Sequence, residues 1–174
     1  MSITEQFRML HRESRYPELI ESAQAMESLS PEAQLLMVLA ETMLGQRADK
    51  QALLLAMETE ADNLDWKSDL ALAHILCGNI PEAQELLEVV LASGAPGAVD
   101  YSRMAAVMTA SDNLELARHY YQEAVHREPG RDIWYANLAS IQTRLMEYDE
   151  ALQNYELALE ANPENPQAKQ GRAT

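Results

Sequence analysis

The stretch DIWYANLASIQTRLMEYDEALQNYELALEANPEN, Asp132–Asn165, holds two amphipathic helical patterns joined by a short turn. In its first half Tyr135, Leu138, Ala139, Ile141 and Leu145 recur at spacings of three and four, the period of one buried helix face. Its second half repeats the pattern with Tyr148, Ala151, Leu152, Tyr155, Ala158 and Leu159, and Pro163 then stops the helix.

A shift of 34 residues toward the N-terminus carries Tyr135, Ala139, Ala151, Tyr155, Ala158 and Pro163 onto Tyr101, Ala105, Ala117, Tyr121, Ala124 and Pro129, all identities. A second shift lands on Lys67, Ala71, Ala83, Leu87, Val90 and Ala95, with Pro96 one residue late. Self-similarity at a fixed period is the mark of a repeat architecture. The period therefore covers residues 64–97, 98–131 and 132–165.

A 34-residue helix–turn–helix with small residues at positions 8, 20 and 27, an aromatic at 24 and proline at 32 resembles the tetratricopeptide repeat. The resemblance implies an all-α right-handed superhelix, an α-solenoid of antiparallel helix pairs. Helices A and B of a unit would cross at positions 8 and 20, and the next helix A would pack on position 27. A larger side chain at such a crossing costs about 1–3 kcal/mol. Two departures are visible. Position 4, usually tryptophan in the family, is Tyr135, Tyr101 or Lys67, with Trp134 and Trp66 displaced to position 3. Val90 replaces the small residue at position 27, so that unit is expected to pack less regularly on its neighbour.

Upstream, Tyr16-Pro17-Glu18-Leu19 opens a helix with proline in its first turn, as Ile80-Pro81-Glu82-Ala83 does later. Residues 1–29 read as a diverged first unit. Ser30-Pro31-Glu32 is a cap and helix start, Gly45 a helix end, and Ala48 to Met57 a return helix. Residues 30–63 thus make a second degenerate unit, whose register differs by two residues depending on whether Gly45 or Ala52 is aligned. The expectation is about five helix pairs forming a single domain over residues 1–174, with 166–174 as a short tail. That tail offers at most two turns to cover the last apolar face, which also fits an N-terminal module of a longer protein.

Composition agrees with helices: 47% of residues are apolar, and there are only six glycines and one phenylalanine. Charges through Met1 to Arg15 rule out the apolar core of a signal peptide. The longest apolar run, Leu35 to Ala40, is far short of the roughly 20 residues that span a bilayer. A cytoplasmic protein with no membrane partner is expected. The formal charge is −15, from 13 basic and 28 acidic residues. Between Gln51 and Ser102 nine acids face one base, Lys67. Such a surface repels phosphate backbones, so nucleic acid is excluded as a partner, and a neutral or basic protein or peptide is favoured. The same acids also serve solubility.

The family resemblance implies a concave ligand groove lined by helix A at positions 2, 5, 6, 9, 12 and 13. In the last unit these are Ile133, Ala136, Asn137, Ser140, Thr143 and Arg144. The preceding unit offers Val99, Ser102, Arg103, Ala106, Thr109 and Ala110, and the one before it Asp65, Ser68, Asp69, Leu72, Ile75 and Leu76. The lysine and asparagine clamp of the family's chaperone-binding members is missing, since position 5 is Ala136 or Ser102 and position 9 is Ser140 or Ala106. Docking of a heat-shock chaperone's C-terminus is disfavoured. Arg103 and Arg144 are the candidates for holding a carboxylate or phosphate of an extended peptide.

Catalytic arrangements are weak. His74 and Cys77 share a helix face but fall at packing positions with no third orienting group. His119 and His126 lack a third metal ligand, no glycine pair makes a phosphate loop, and one cysteine excludes a disulfide framework. No cofactor, metal or catalytic residue is expected. Tyr120, at position 23, stands apart from the packing tyrosines, and an exposed aromatic there would mark an interface, including self-association into a homo-oligomer. The function expected is a non-catalytic protein-interaction scaffold. The alternatives are the repeat segment of a larger enzyme, such as a sulfotransferase or glycosyltransferase, and a small acidic secretion-type chaperone.

Overall fold

The computed structural model describes residues 2–45, 53 and 63–173, and all the regular elements among them are helices. In chain order these are α1 Ile3–Arg12, α2 Tyr16–Gln24, α3 Pro31–Met43, α4 Leu64–Cys77, α5 Ile80–Ala92, α6 Ala98–Ala110, α7 Leu114–Arg127, α8 Asp132–Arg144, α9 Tyr148–Ala161 and α10 Pro166–Arg172. The return helix expected at Ala48 to Met57 lies outside the described residues except for Leu53, which is helical and buried. Contacts divide the chain into two compact units, Met1–Asn79 and Ile80–Thr174. The boundary falls inside the repeat expected at 64–97.

The helix starts follow the side chains at their caps. In α1 the Ser2 hydroxyl accepts from the Glu5 amide (3.2 Å) while the Glu5 carboxylate accepts from the Ser2 amide (2.5 Å), a reciprocal capping box. Ser30 caps α3 ahead of Pro31, and the Asn63 side chain accepts from Trp66 N–H (2.8 Å) to open α4. Asn113 and Asn165 cap α7 and α10 in the same way.

The residues that end successive helices carry the repeat in the backbone. Gly78, Asp112 and Met146 occur at 34-residue spacing and all have left-handed φ, at 81°, 59° and 63°. After each, an amide reaches back to the final turn: Asn79 to the His74 carbonyl (2.9 Å), Asn113 to Met108 (2.8 Å) and Glu147 to Gln142 (2.9 Å). Ser14 (φ 59°) repeats the arrangement between α1 and α2, with Arg15 N–H donating to the Leu10 carbonyl (2.9 Å). Gly45 (φ 77°) ends α3 in the same left-handed conformation, 33 residues before Gly78.

The two units fill their interiors differently. In unit 1 Phe7, Leu10, Leu19, Ala23, Ala33, Leu36 and Ala40 form one buried cluster among α1, α2 and α3. In unit 2 alanines occupy the crossings: Ala105, Ala117, Ala124, Ala139, Ala151 and Ala158 are all buried, with Tyr121 and Tyr155 beside them. Val90 is buried at the place in α5 that Ala124 and Ala158 hold in α7 and α9. Trp134, at its displaced position, packs on Ala98 and Ala124 of the preceding pair. The short α10 lays Ala168 against Ala136, Ala139 and Tyr155, and Gly171 lies so close to the Tyr155 ring that any Cβ would overlap it.

Candidate partner-binding groove

Within unit 2, α6 and α8 are the first helices of successive pairs and present the groove positions. Ser102, Ala106 and Thr109 on α6 and Asn137, Ser140 and Thr143 on α8 are all half-buried. One buried phenol lies between the two rows: Tyr121, on α7, sits beside Asn137 and Thr109. Burial pushes the Tyr121 phenol up to about 12, with the Asn137 and Thr109 hydrogen bonds acting in the opposite direction.

The groove hydroxyls are oriented by their own helices. Ser102 donates to the Val99 carbonyl (2.8 Å), Thr109 to Ala105 (2.7 Å) and Thr143 to Ala139 (2.9 Å). A hydroxyl carries one hydrogen and two lone pairs. With the hydrogen committed to a backbone carbonyl, each offers a partner only acceptor capacity. The surface thus combines hydroxyl acceptors, methyls and small side chains with the amide of Asn137.

Neither arginine matches the exposed anchor expected of it. Arg103 is only 7% exposed, buried on α6 rather than standing in solvent. Arg144 is exposed, but its guanidinium donates to Asp112 (2.5 Å), which joins α8 to the preceding corner. The aspartate at the other expected end differs as well. Asp69 is 5% exposed in α4 and sits 3.6 Å from Arg8, whose guanidinium also pairs with Glu32 and lies 3.5 Å from Asp65. Asp69 therefore packs within unit 1 and Ser68 is buried, whereas Leu72 and Ile75 remain half-buried and Leu76 exposed. A shallow 340 Å³ cavity lined by Glu5, Arg8, Met9, Arg12, Glu13 and Asp65 lies above this ionic cluster. Its cations are already matched, Arg8 as above and Arg12 by Asp65 (2.5 Å), so it offers little net charge to a ligand.

The tyrosines also depart from expectation. Tyr120 is half-buried, its ring 6.3 Å from that of Tyr101 and 5.5 Å from His119. Tyr148 and Leu152, expected on the buried face of α9, are 63% and 44% exposed. Sequence periodicity could find the helix but not which side α10 would leave uncovered. Among the described residues no helix is long and apolar enough to cross a membrane, and no group of three or more His, Cys, Asp or Glu could hold a metal ion.

Antiparallel helix pairs, a left-handed corner every 34 residues and alanines at the crossings define a helical repeat protein with the tetratricopeptide-repeat fold. Solved structures agree. The chain is similar to the crystal structure of MamA at 18% identity, over 76% of this chain and 78% of that one, with a TM-score of 0.62. MamA from Desulfovibrio magneticus RS-1 matches at 17% identity over 95% of this chain and 98% of that one, TM-score 0.60. YrrB, a TPR protein with an unusual peptide-binding site, matches at 16% identity over 90% and 79%, TM-score 0.60. No protein-family model and no curated protein matches the sequence.

Proposed function

We propose that the protein is a non-catalytic interaction module whose unit 2 receives a segment of a partner protein along α6 and α8. The observation that carries this reading is the commitment of the groove hydroxyls: half-buried Ser102 and Thr143 each donate to a carbonyl of their own helix, which leaves them acceptor capacity for a partner. Such a surface suits a partner rich in donors, namely backbone amides of an extended peptide and lysine or arginine side chains. The net charge of −15 favours the same partner and speeds its encounter. A carboxylate ligand fits poorly, because Arg103 is buried and Arg144 is paired with Asp112. The description of YrrB as having a peptide-binding site supports a peptide as the kind of ligand.

Selection of binders from a random peptide library displayed on phage tests this directly. Neutral to basic sequences are expected, and their binding should be lost on Ser140→Arg or Ala106→Arg, which fill the groove and add like charge, with helical content unchanged. Recovery of acidic sequences, or binding indifferent to both substitutions, would overturn the reading.

A further inference from the structure

The two ends of the α6–α8 groove differ in kind. At the end where both helices begin, Val99 packs on the cluster of Ala98, Ala124 and Trp134, and Ile133, next to Trp134 in the chain, is 48% exposed. Acids stand at this end too, but amide donors occupy them. The Asp100 carboxylate accepts from the Gly97 N–H (2.8 Å), and that of Asp132 from the side-chain amides of Asn162 and Asn165 (2.8 Å each). At the end where both helices stop, the Asp112 side chain is 81% exposed, and its ion pair with Arg144 brings the two helix ends together. That contact uses Oδ1 of Asp112. A carboxylate accepts on both oxygens, so Oδ2 is left for a partner. The C-terminal ends of α6 and α8 add partial negative charge, which tips the balanced Asp112–Arg144 pair toward a cation. The Thr143 hydroxyl, its hydrogen given to the Ala139 carbonyl, adds a further acceptor.

Granted recognition along α6 and α8, on which this rests, we infer that the partner's segment carries an aliphatic side chain and, about five residues away, a lysine or arginine. The aliphatic side chain sits at Val99 and Ile133, and the cation at Asp112. The spacing follows from the helix. Ile133 and Thr143 are ten residues apart on α8, which is about 15 Å at about 1.5 Å per residue. An extended chain covers about 3.3 Å per residue and bridges that distance in about five. Charge excludes the reverse placement. A cation at the Val99 end would meet the positive ends of two helices and acids already engaged, and an aliphatic side chain at the other end would strip water from Asp112. An acidic residue in place of the cation would face Asp112 and the negative ends of two helices.

Synthetic peptides of one composition, each with a single leucine and a single lysine in a serine and glycine background, test the spacing by fluorescence anisotropy on the whole protein. The two residues stand about five positions apart in the first peptide, adjacent in the second and at opposite ends of the third. The first should bind about tenfold more tightly than the others, as expected when the aliphatic side chain and the cation are seated together. Ile133→Ser, at an exposed position, should abolish that preference. Asparagine suits the left-handed backbone at residue 112, so Asp112→Asn should keep the fold. It should weaken the first peptide about threefold and leave unchanged a version with norleucine in place of lysine. Equal binding at all three spacings, lost on Ala106→Arg, would keep the groove and overturn the proposed spacing. Failure of all three to bind, while peptides from the displayed library do, would overturn it as well. Binding that survives Ala106→Arg would overturn recognition along α6 and α8 itself, and the spacing with it.

Discussion

Unit 1 and unit 2 build the same helix–corner–helix from different materials. Unit 1 fills its interior with Phe7, Leu10, Leu19 and Leu36 and ties α1 to α3 and α4 through Arg8, held by Glu32, Asp65 and Asp69. Unit 2 brings its helices together over alanines and holds its Arg144–Asp112 pair at the rim, with the two side chains 44% and 81% exposed. Large side chains tolerate many arrangements with the same total volume, whereas an alanine crossing fixes helix separation. Only the second kind leaves a strict period in the sequence.

The difference predicts opposite responses to volume. Leu36→Ala in unit 1 should cost about 3–5 kcal/mol, as for a fully buried leucine whose site cannot collapse. Urea denaturation would show it. Next is Arg8→Met, which leaves Glu32 and Asp69 without their cation and should cost about 3 kcal/mol by the same measurement. A variant as stable as the parent would mean that these acids are solvated and that the ionic centre of unit 1 is incidental. In unit 2 the sensitive change runs the other way: Ala124→Leu should overpack the crossing against Trp134 and cost about 1–3 kcal/mol. If unit 2 tolerated leucine there, the contrast between the units would fail.

A pH response sharpens the same comparison, because Tyr121 belongs to unit 2. Its phenol, pushed up to about 12 by burial, stays protonated in the folded chain where an unfolded tyrosine with its usual value near 10 ionises. The unfolded state then binds fewer protons, so stability falls as pH rises through the window from about 10 to about 12. Thermal melts across that window should show the fall, and Tyr121→Phe should flatten it. The smallest effect belongs to the rim. Arg144→Ala removes an exposed pair and should cost under about 1 kcal/mol, diminishing further in salt.

The fold was legible in unit 2 because tyrosine, alanine and proline recur there at one period. In unit 1 no such identities recur, and the corner at Ser14 carries no glycine to announce its left-handed backbone. Gly45 did mark the end of α3, and it takes the left-handed backbone expected of a helix-ending glycine. The groove positions on α6 and α8 followed from the repeat, but the state of each side chain did not. Burial of Arg103 depends on how α6 is rotated against its neighbours, and the pairing of Arg144 depends on a residue 32 positions away. The Tyr121 phenol beside Thr109 and Asn137 draws on three helices, and no local pattern encodes it. The exposure of Tyr148 depends on where α10 comes to rest.

The central claim is that recognition runs along α6 and α8 of unit 2. Its most direct test is an NMR titration of isotope-labelled protein with a peptide recovered by selection. The account predicts shifts concentrated at Ser102, Ala106, Thr109, Asn137, Ser140 and Thr143. Shifts confined to Leu152 and its neighbours, or to the helices of unit 1, would contradict it.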